Sequence, residues 1–227
     1  MNGLLSDVTA VLLDVDGTLF SSEEMLHDVY RQAIADFQKR HSRPKTLPDL
    51  PAIMAQIGQP VKTIFKNLLP ELSDSERDEI SNQVLVDLVR RIGKGEGIHY
   101  EGVNATLRQL HDKGILLFAA SNGRQAYVDA VLKAGKVFDL FKAVPTIDHK
   151  RIKNKDDLVR SILDDYDLQP AQCVMVGDRT TDRDAALSNH VAFVATSYGH
   201  HGDVSEHQGA VATIDSFKQL AGLLGVE

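Results

Sequence analysis

The chain has 227 residues, with 25 Lys and Arg against 32 Asp and Glu, for a net charge of -7; 43% of residues are hydrophobic and 25% charged. That balance excludes a disordered chain, and it argues against nucleic-acid binding through a broad basic face. The single cysteine, Cys173, excludes an intrachain disulfide, and no apolar run approaches the ~20 residues that cross a bilayer.

Residues 1–9 lack the basic start and apolar core of a signal peptide, so a cytoplasmic location is expected. Val8, Ala10 and Val11–Leu13 then form an apolar run of strand length, of the kind buried on both faces of a parallel sheet. The run ends in Asp14-Val15-Asp16-Gly17-Thr18. Residues two apart project to one side of an extended chain, so Asp14 and Asp16 are expected to face one site. Like charges so close repel, and a hard divalent cation such as Mg2+, which takes carboxylate and carbonyl oxygens, resolves the conflict. An Asp-Gly turn after a strand is the plainer alternative.

From Ser21 the pattern becomes helical. Ser21-Ser22-Glu23-Glu24 reads as a cap, followed by Leu26, Val29, Tyr30, Ala33 and Phe37 at helical spacing. Pro44, Pro48 and Pro51 interrupt the helix, which is expected to resume over 53–57. Gly58-Gln59-Pro60 breaks it, and another helix is expected over 61–69. Ser73 and Glu76 have capping-box spacing, and open a long helix with Ile80, Val84, Leu88 and Ile92 on one stripe. The glycines of 93–97 follow a helix rather than a strand, so they read as a flexible linker and not a phosphate loop.

Beyond Tyr100 strands and helices alternate. Helices are expected over 102–113, 127–133, 155–166, near 181 and over 216–224; strands over 114–121, 143–147, 172–176, 191–194 and 210–214. Pro145 marks the second of those strands as a sheet edge. The fold expected is therefore α/β: a doubly wound parallel sheet, a Rossmann-like core, with an inserted all-helical block. The core is residues 1–20 and 98–227, and the helical block, read as a cap, is residues 21–97.

Asp14-Val15-Asp16-Gly17-Thr18 resembles the first motif of the haloacid dehalogenase superfamily, in its phosphatase branch. Three further motifs match in order. Ser121-Asn122-Gly123 ends a buried strand and is similar to the second, in which a hydroxyl and backbone N–H groups hold phosphate oxygens. The third supplies a lysine; Lys150, Arg151, Lys153 and Lys155 are candidates, and Lys155, which opens a helix, is favoured, with Lys153 second and Lys150 third. The Lys-Pro pairing common in relatives is absent here. Gly177-Asp178-Arg179-Thr180-Thr181-Asp182 resembles the fourth.

The resemblance implies a Mg2+-dependent phosphatase acting on a small phosphorylated metabolite, as monomer or homodimer, with no nucleic-acid or membrane partner. Asp14 is then the nucleophile that becomes an aspartyl-phosphate. Asp16 is the general acid and base. Lys155 completes the catalytic set. Thr18, Ser121, Asn122 and Gly123 bind the phosphoryl group. Asp14, the Asp16 carbonyl and Asp178 hold the metal, supported by Asp182. The whole pattern most resembles phosphoglycolate phosphatase-like enzymes; a nucleotide 5'-monophosphatase, a sugar phosphomutase and a catalytically silent binding module are the alternatives. Gln59, Lys62 and Lys66 are candidates for facing the substrate. Cys173 reads as packing, and the Tyr198–His207 stretch, with its three histidines, as a surface loop rather than a metal site.

Overall fold

The apolar run ending at Asp14 is a fully buried strand, and the structure, a computed structural model, describes residues 3–43, 47–149, 152–199 and 204–226. In chain order the elements are β1 (Ala10–Leu13), β2 (Phe20–Ser21), α1 (Glu23–Arg40), α2 (Leu50–Met54), α3 (Val61–Leu68), α4 (Asp74–Ile92) and β3 (Ile98–His99). They continue with α5 (Val103–Asp112), β4 (Leu116–Ala119), α6 (Gln125–Ala134), β5 (Phe141–Ala143), α7 (Lys155–Asp165) and β6 (Cys173–Gly177). The chain finishes with α8 (Thr180–Ser188), β7 (Ala192–Thr196), β8 (Ala212–Ile214) and α9 (Gln219–Leu223).

Six strands form one sheet in the order β5-β4-β1-β6-β7-β8, every pairing parallel. Alternate residues of each strand serve opposite faces. Val11, Leu13, Leu117, Val174 and Val176 join a cluster with Val103, Leu107, Val128 and Leu220 of α5, α6 and α9. Leu12, Phe118, Met175 and Phe193 join the other, against Leu158, Val159 and Ile162 of α7 and Ala185 of α8. Burial on both faces explains why these strands read as unbroken apolar runs. Strand β1 sits between β4 and β6, where the chain order reverses; in open α/β sheets that crevice takes ligands.

Helices α1–α4 form the inserted block. Along α1, Leu26, Val29, Tyr30, Ala33 and Phe37 are buried, and along α4, Ile80, Val84, Leu88 and Ile92. The capping box at Ser73 is formed, with the Glu76 carboxylate accepting the Ser73 N–H at 2.8 Å.

Four local expectations need correction. The short helix lies at Leu50–Met54 rather than 53–57, because the Asp49 side chain caps the Ala52 N–H and Pro51 sits in the first turn, where its missing N–H is harmless. The edge strand ends at Ala143, so Pro145 lies beyond it, although β5 is an edge. Ser22 makes no capping bond; its hydroxyl turns to Asp16. Finally, the expected flexible linker at 93–97 runs directly into a fixed pairing. Phe20 pairs with His99 and Ser21 with Ile98 in a short antiparallel ribbon of β2 and β3. Gly97, at φ 83°, lies over the Phe20 ring, and a Cβ there would stand 2.1 Å from Phe20 Cζ. Lys150, Arg151 and His200–Gly202 lie outside the described residues.

The ribbon makes a paired prediction. Gly95 also has a positive φ, 88°, but nothing lies within 4 Å of an added Cβ. Gly95→Ala should cost about 1–2 kcal/mol, the left-handed strain alone. Gly97→Ala should cost a further ~1–3 kcal/mol for the displaced ring. Urea unfolding of both variants checks this; equal losses would mean that Phe20 yields freely.

Candidate active site

Three neighbouring strands end at the same edge of the sheet, and each delivers a polar residue there. Asp14 follows β1 and donates its N–H to the Val176 carbonyl of β6 at 3.0 Å. Asp178 follows β6, and Ser121 stands two residues beyond β4. Asp14, Ser121 and Asp178 are all buried, Asp178 completely. The chain can turn away beside Asp178 only at a glycine: Gly17 has φ 84°, and a Cβ there would lie 2.2 Å from Asp178 Oδ2.

A single ammonium holds this acidic corner. Lys155, the first residue of α7, is 4% exposed. Its Nζ donates to Asp14 Oδ1 at 2.5 Å and also to Asp182 Oδ1. The other oxygen of Asp182 accepts the Arg179 N–H at 3.0 Å, at the start of α8. Burial works against the lysine's charge, but Asp14 and Asp182 outweigh it and hold the ammonium above its usual range. Burial pushes the Asp14 carboxyl up, against the opposing pull of Lys155. Asp182 is pushed up to about 6, by burial first and then by the Asp14 charge.

Carboxylate oxygens of Asp14, Asp178 and Asp182 lie within 4.8 Å of one another. Three buried carboxylates against one ammonium leave negative charge in excess, in a place with little water. The residues therefore fit a hard divalent cation, which would restore the ionised state that burial opposes at Asp14.

Asp16 faces elsewhere. Its Oδ1 accepts the Ser22 hydroxyl at 2.9 Å and the Tyr127 hydroxyl from α6. Asp14 and Asp16 both line the cleft, but only the first belongs to the carboxylate group. Sequence reasoning missed both hydroxyls. Ser22 carries the pattern of a helix cap and Tyr127 that of an ordinary helical position, although it lies four residues after Gly123 on the first turn of α6.

The remaining expected residues divide. Ser121, Asn122 and Gly123 line the cleft. The Gly123 N–H is not free, as expected from the turn, but donates to Ser121 Oγ at 3.0 Å. Thr18 is wholly buried, its carbonyl accepting the Tyr198 hydroxyl, and it is not among the cleft-lining residues. Lys153 is exposed, and the ammonium on Asp14 is that of Lys155. Across the cleft, Gly58 and Gln59 of the helical block contribute to the lining. The Gly58 carbonyl accepts Asn122 Nδ2 at 2.8 Å, which ties the block to the sheet edge. Lys62 and Lys66 do not line it; they lie exposed on the other side of α3.

Comparison with known proteins places the chain in a family. The haloacid dehalogenase-like hydrolase profile matches residues 8–189. A phosphoglycolate phosphatase of Nitrosospira multiformis is 26% identical over 206 residues, 88% of each chain. A 5'-nucleotidase of Pseudomonas aeruginosa is 26% identical over 191 residues, 83% of this chain and 82% of that one. Among solved structures, a predicted phosphoglycolate phosphatase from Haemophilus somnus superposes with a TM-score of 0.82 at 21% identity, covering 95% of this chain and 97% of the other. The matched span contains every strand that delivers a site residue and both helices that carry Lys155 and Asp182, so the chain belongs to the haloacid dehalogenase-like hydrolases and is an enzyme of that class.

Proposed function

We propose that the chain is a Mg2+-dependent phosphatase that hydrolyses a small phosphomonoester through a phosphoryl group carried on Asp14. The observation that carries this reading is the Lys155 Nζ to Asp14 Oδ1 contact of 2.5 Å, buried beside Asp178 and Asp182. It holds one carboxylate against a buried ammonium, next to a second carboxylate, Asp16, in different company.

In this reading an Asp14 oxygen attacks phosphorus in line, forming a P–O bond to the carboxylate while the ester P–O bond breaks. Asp16 gives its proton to the departing alkoxide. It then takes a proton from the incoming water, whose oxygen attacks phosphorus and releases Asp14 and inorganic phosphate. The Ser22 and Tyr127 hydroxyls hold one oxygen of Asp16 and leave the other for that exchange. Lys155 and Ser121 offset and orient the phosphoryl oxygens. We assign Mg2+ to Asp14, Asp178 and the Asp16 carbonyl, where it would supply positive charge opposite the phosphoryl oxygens. Asp182, engaged through both oxygens, supports the lysine. Residues 21–97 act as the cap over a core of residues 1–20 and 98–227, closing on the sheet edge through contacts such as Asn122 to Gly58. The buried, unbridged Cys173 suits a cytoplasmic setting.

Three outcomes follow from this assignment. Asp14→Asn should lose turnover while its thermal unfolding stays cooperative; hydrolysis at the parental rate would rule out attack by Asp14. Lys155→Ala should lower kcat by about 10²–10³-fold, the loss typical of one charge-stabilising donor, while the exposed Lys153→Ala leaves it unchanged. Equal losses in the two variants, read in steady-state kinetics, would move the third-motif assignment elsewhere. Chelation should abolish hydrolysis and added Mg2+ restore it, with Ca2+ a poor substitute because its coordination is larger and looser. Undiminished turnover in chelator would exclude the metal.

A further inference from the structure

The cleft has two unlike halves. On the sheet side stand Asp14, Asp16, Ser121 and Asn122, which suit a phosphoryl group. On the helical side the wall is formed by Leu26, Ile57, Val61, Ile64, Leu85 and Leu88. Tyr30 and Phe65 line it too, their rings stacked with centroids 5.4 Å apart and planes 3° from parallel. The polar side chains on that half are neutral: Ser22, already bonded to Asp16, with Gln59 and Ser81.

No charged residue of the helical block lines the cleft among the described residues. Lys62 and Lys66 are exposed; Lys62 lines an adjoining hollow that shares Val61, Ser81 and Arg124 with the cleft. Arg124 is the one cationic side chain in the described lining, and it comes from the sheet side, just ahead of α6. Its guanidinium is engaged: Nη1 donates to Asn82 Oδ1 of α4 at 2.6 Å, and Nε lies 3.8 Å from Asp148 Oδ1.

On the phosphatase reading above, we propose that the substrate's leaving group is an uncharged, largely apolar alcohol. A carboxylate-bearing group such as glycolate would have to shed its hydration against an aliphatic and aromatic wall, where the one guanidinium in the described lining, Arg124, is already engaged. Arg179, packed on Gly58 with its Nη1 unpaired, is not among the lining residues. An apolar group gains from the same transfer, and the Tyr30 and Phe65 rings are part of the wall it would meet. Gln59 and Ser81 supply neutral donors or acceptors for a single hydroxyl or carbonyl. Specificity thus resides in the helical wall, and the phosphoryl group is read by the sheet edge.

The test compares benzyl phosphate and isobutyl phosphate with 2-phosphoglycolate on the Mg2+-loaded full chain. All three release an alcohol whose oxygen is on a saturated carbon, none of them an activated phenol, so differences in kcat/KM read the wall rather than the leaving group's activation. The two apolar esters should exceed phosphoglycolate by about tenfold or more, the usual scale for a hydrophobic pocket. Leu85→Lys, at a half-buried wall position, should narrow or invert that ratio, with unfolding measured alongside. Should this variant not fold, the parental ratio alone decides. A parental preference for phosphoglycolate, lost in Arg124→Ala, would overturn the proposal and give the carboxylate to Arg124. If none of the three esters is hydrolysed, the phosphatase reading fails, and the wall is judged by calorimetric binding of the same esters to the intact chain. Tighter binding of benzyl phosphate than of phosphoglycolate would then still support an apolar subsite, and equal or weaker binding would overturn it.

Discussion

The buried ammonium of Lys155 is the interaction on which the site depends. The sheet brings the carboxylates of Asp14 and Asp178 to one edge, and the first turn of α8 adds Asp182. Without a cation, such a corner would not stay ionised. Lys155 reaches it from the first turn of α7, bonded to Asp14 and Asp182 at once. Removing one partner of a buried pair leaves an uncompensated charge, at a cost of about 3–5 kcal/mol. The contact is thus a structural constraint as well as a chemical one, and it fixes where α7 and α8 begin relative to β1.

The two aspartates of the first motif differ through their surroundings rather than their chemistry. Asp14 lies among carboxylates and an ammonium, whereas Asp16 receives two hydroxyls. Carboxylates placed in unlike environments commonly take unlike roles. The Asp16 environment also crosses the boundary between sheet and insertion. Ser22 follows the β2 strand of the ribbon, and Tyr127 belongs to a helix of the core. The position of the helical block and the setting of Asp16 are therefore mechanically linked.

Much of this was legible in residue order. Strands buried on both faces announce themselves as apolar runs, and a carboxylate or hydroxyl closing such a run marks the sheet edge. Lys155 could be favoured over Lys153 because the third-motif lysine of related phosphatases stands ahead of a helix of the kind that opens at Lys155, and the structure buries the first and exposes the second. What could not be read were contacts between segments far apart in the chain. Tyr127 meets Asp16 across 111 positions, and Asn122 meets Gly58 across 64. Ser22 carries the signature of a helix cap, and nothing local distinguishes that use from a bond to Asp16. Lys62 and Lys66 share a helix with residues that do line the cleft, so only the rotation of α3 decides which face they occupy. Two-residue strands have no periodicity to mark the ribbon, and the glycines beside it carry a linker's composition although Gly97 packs on a ring.

The most direct test of the account is to find the phosphoryl group on the enzyme. A reaction with a phosphomonoester in Mg2+, quenched with acid within the first turnover and digested, should yield one peptide with an added phosphoryl mass, located on Asp14. The modification should be absent from Asp14→Asn. A first-turnover sample that has released alcohol and phosphate with no phosphorylated residue, or with the group on a side chain other than Asp14, would contradict it.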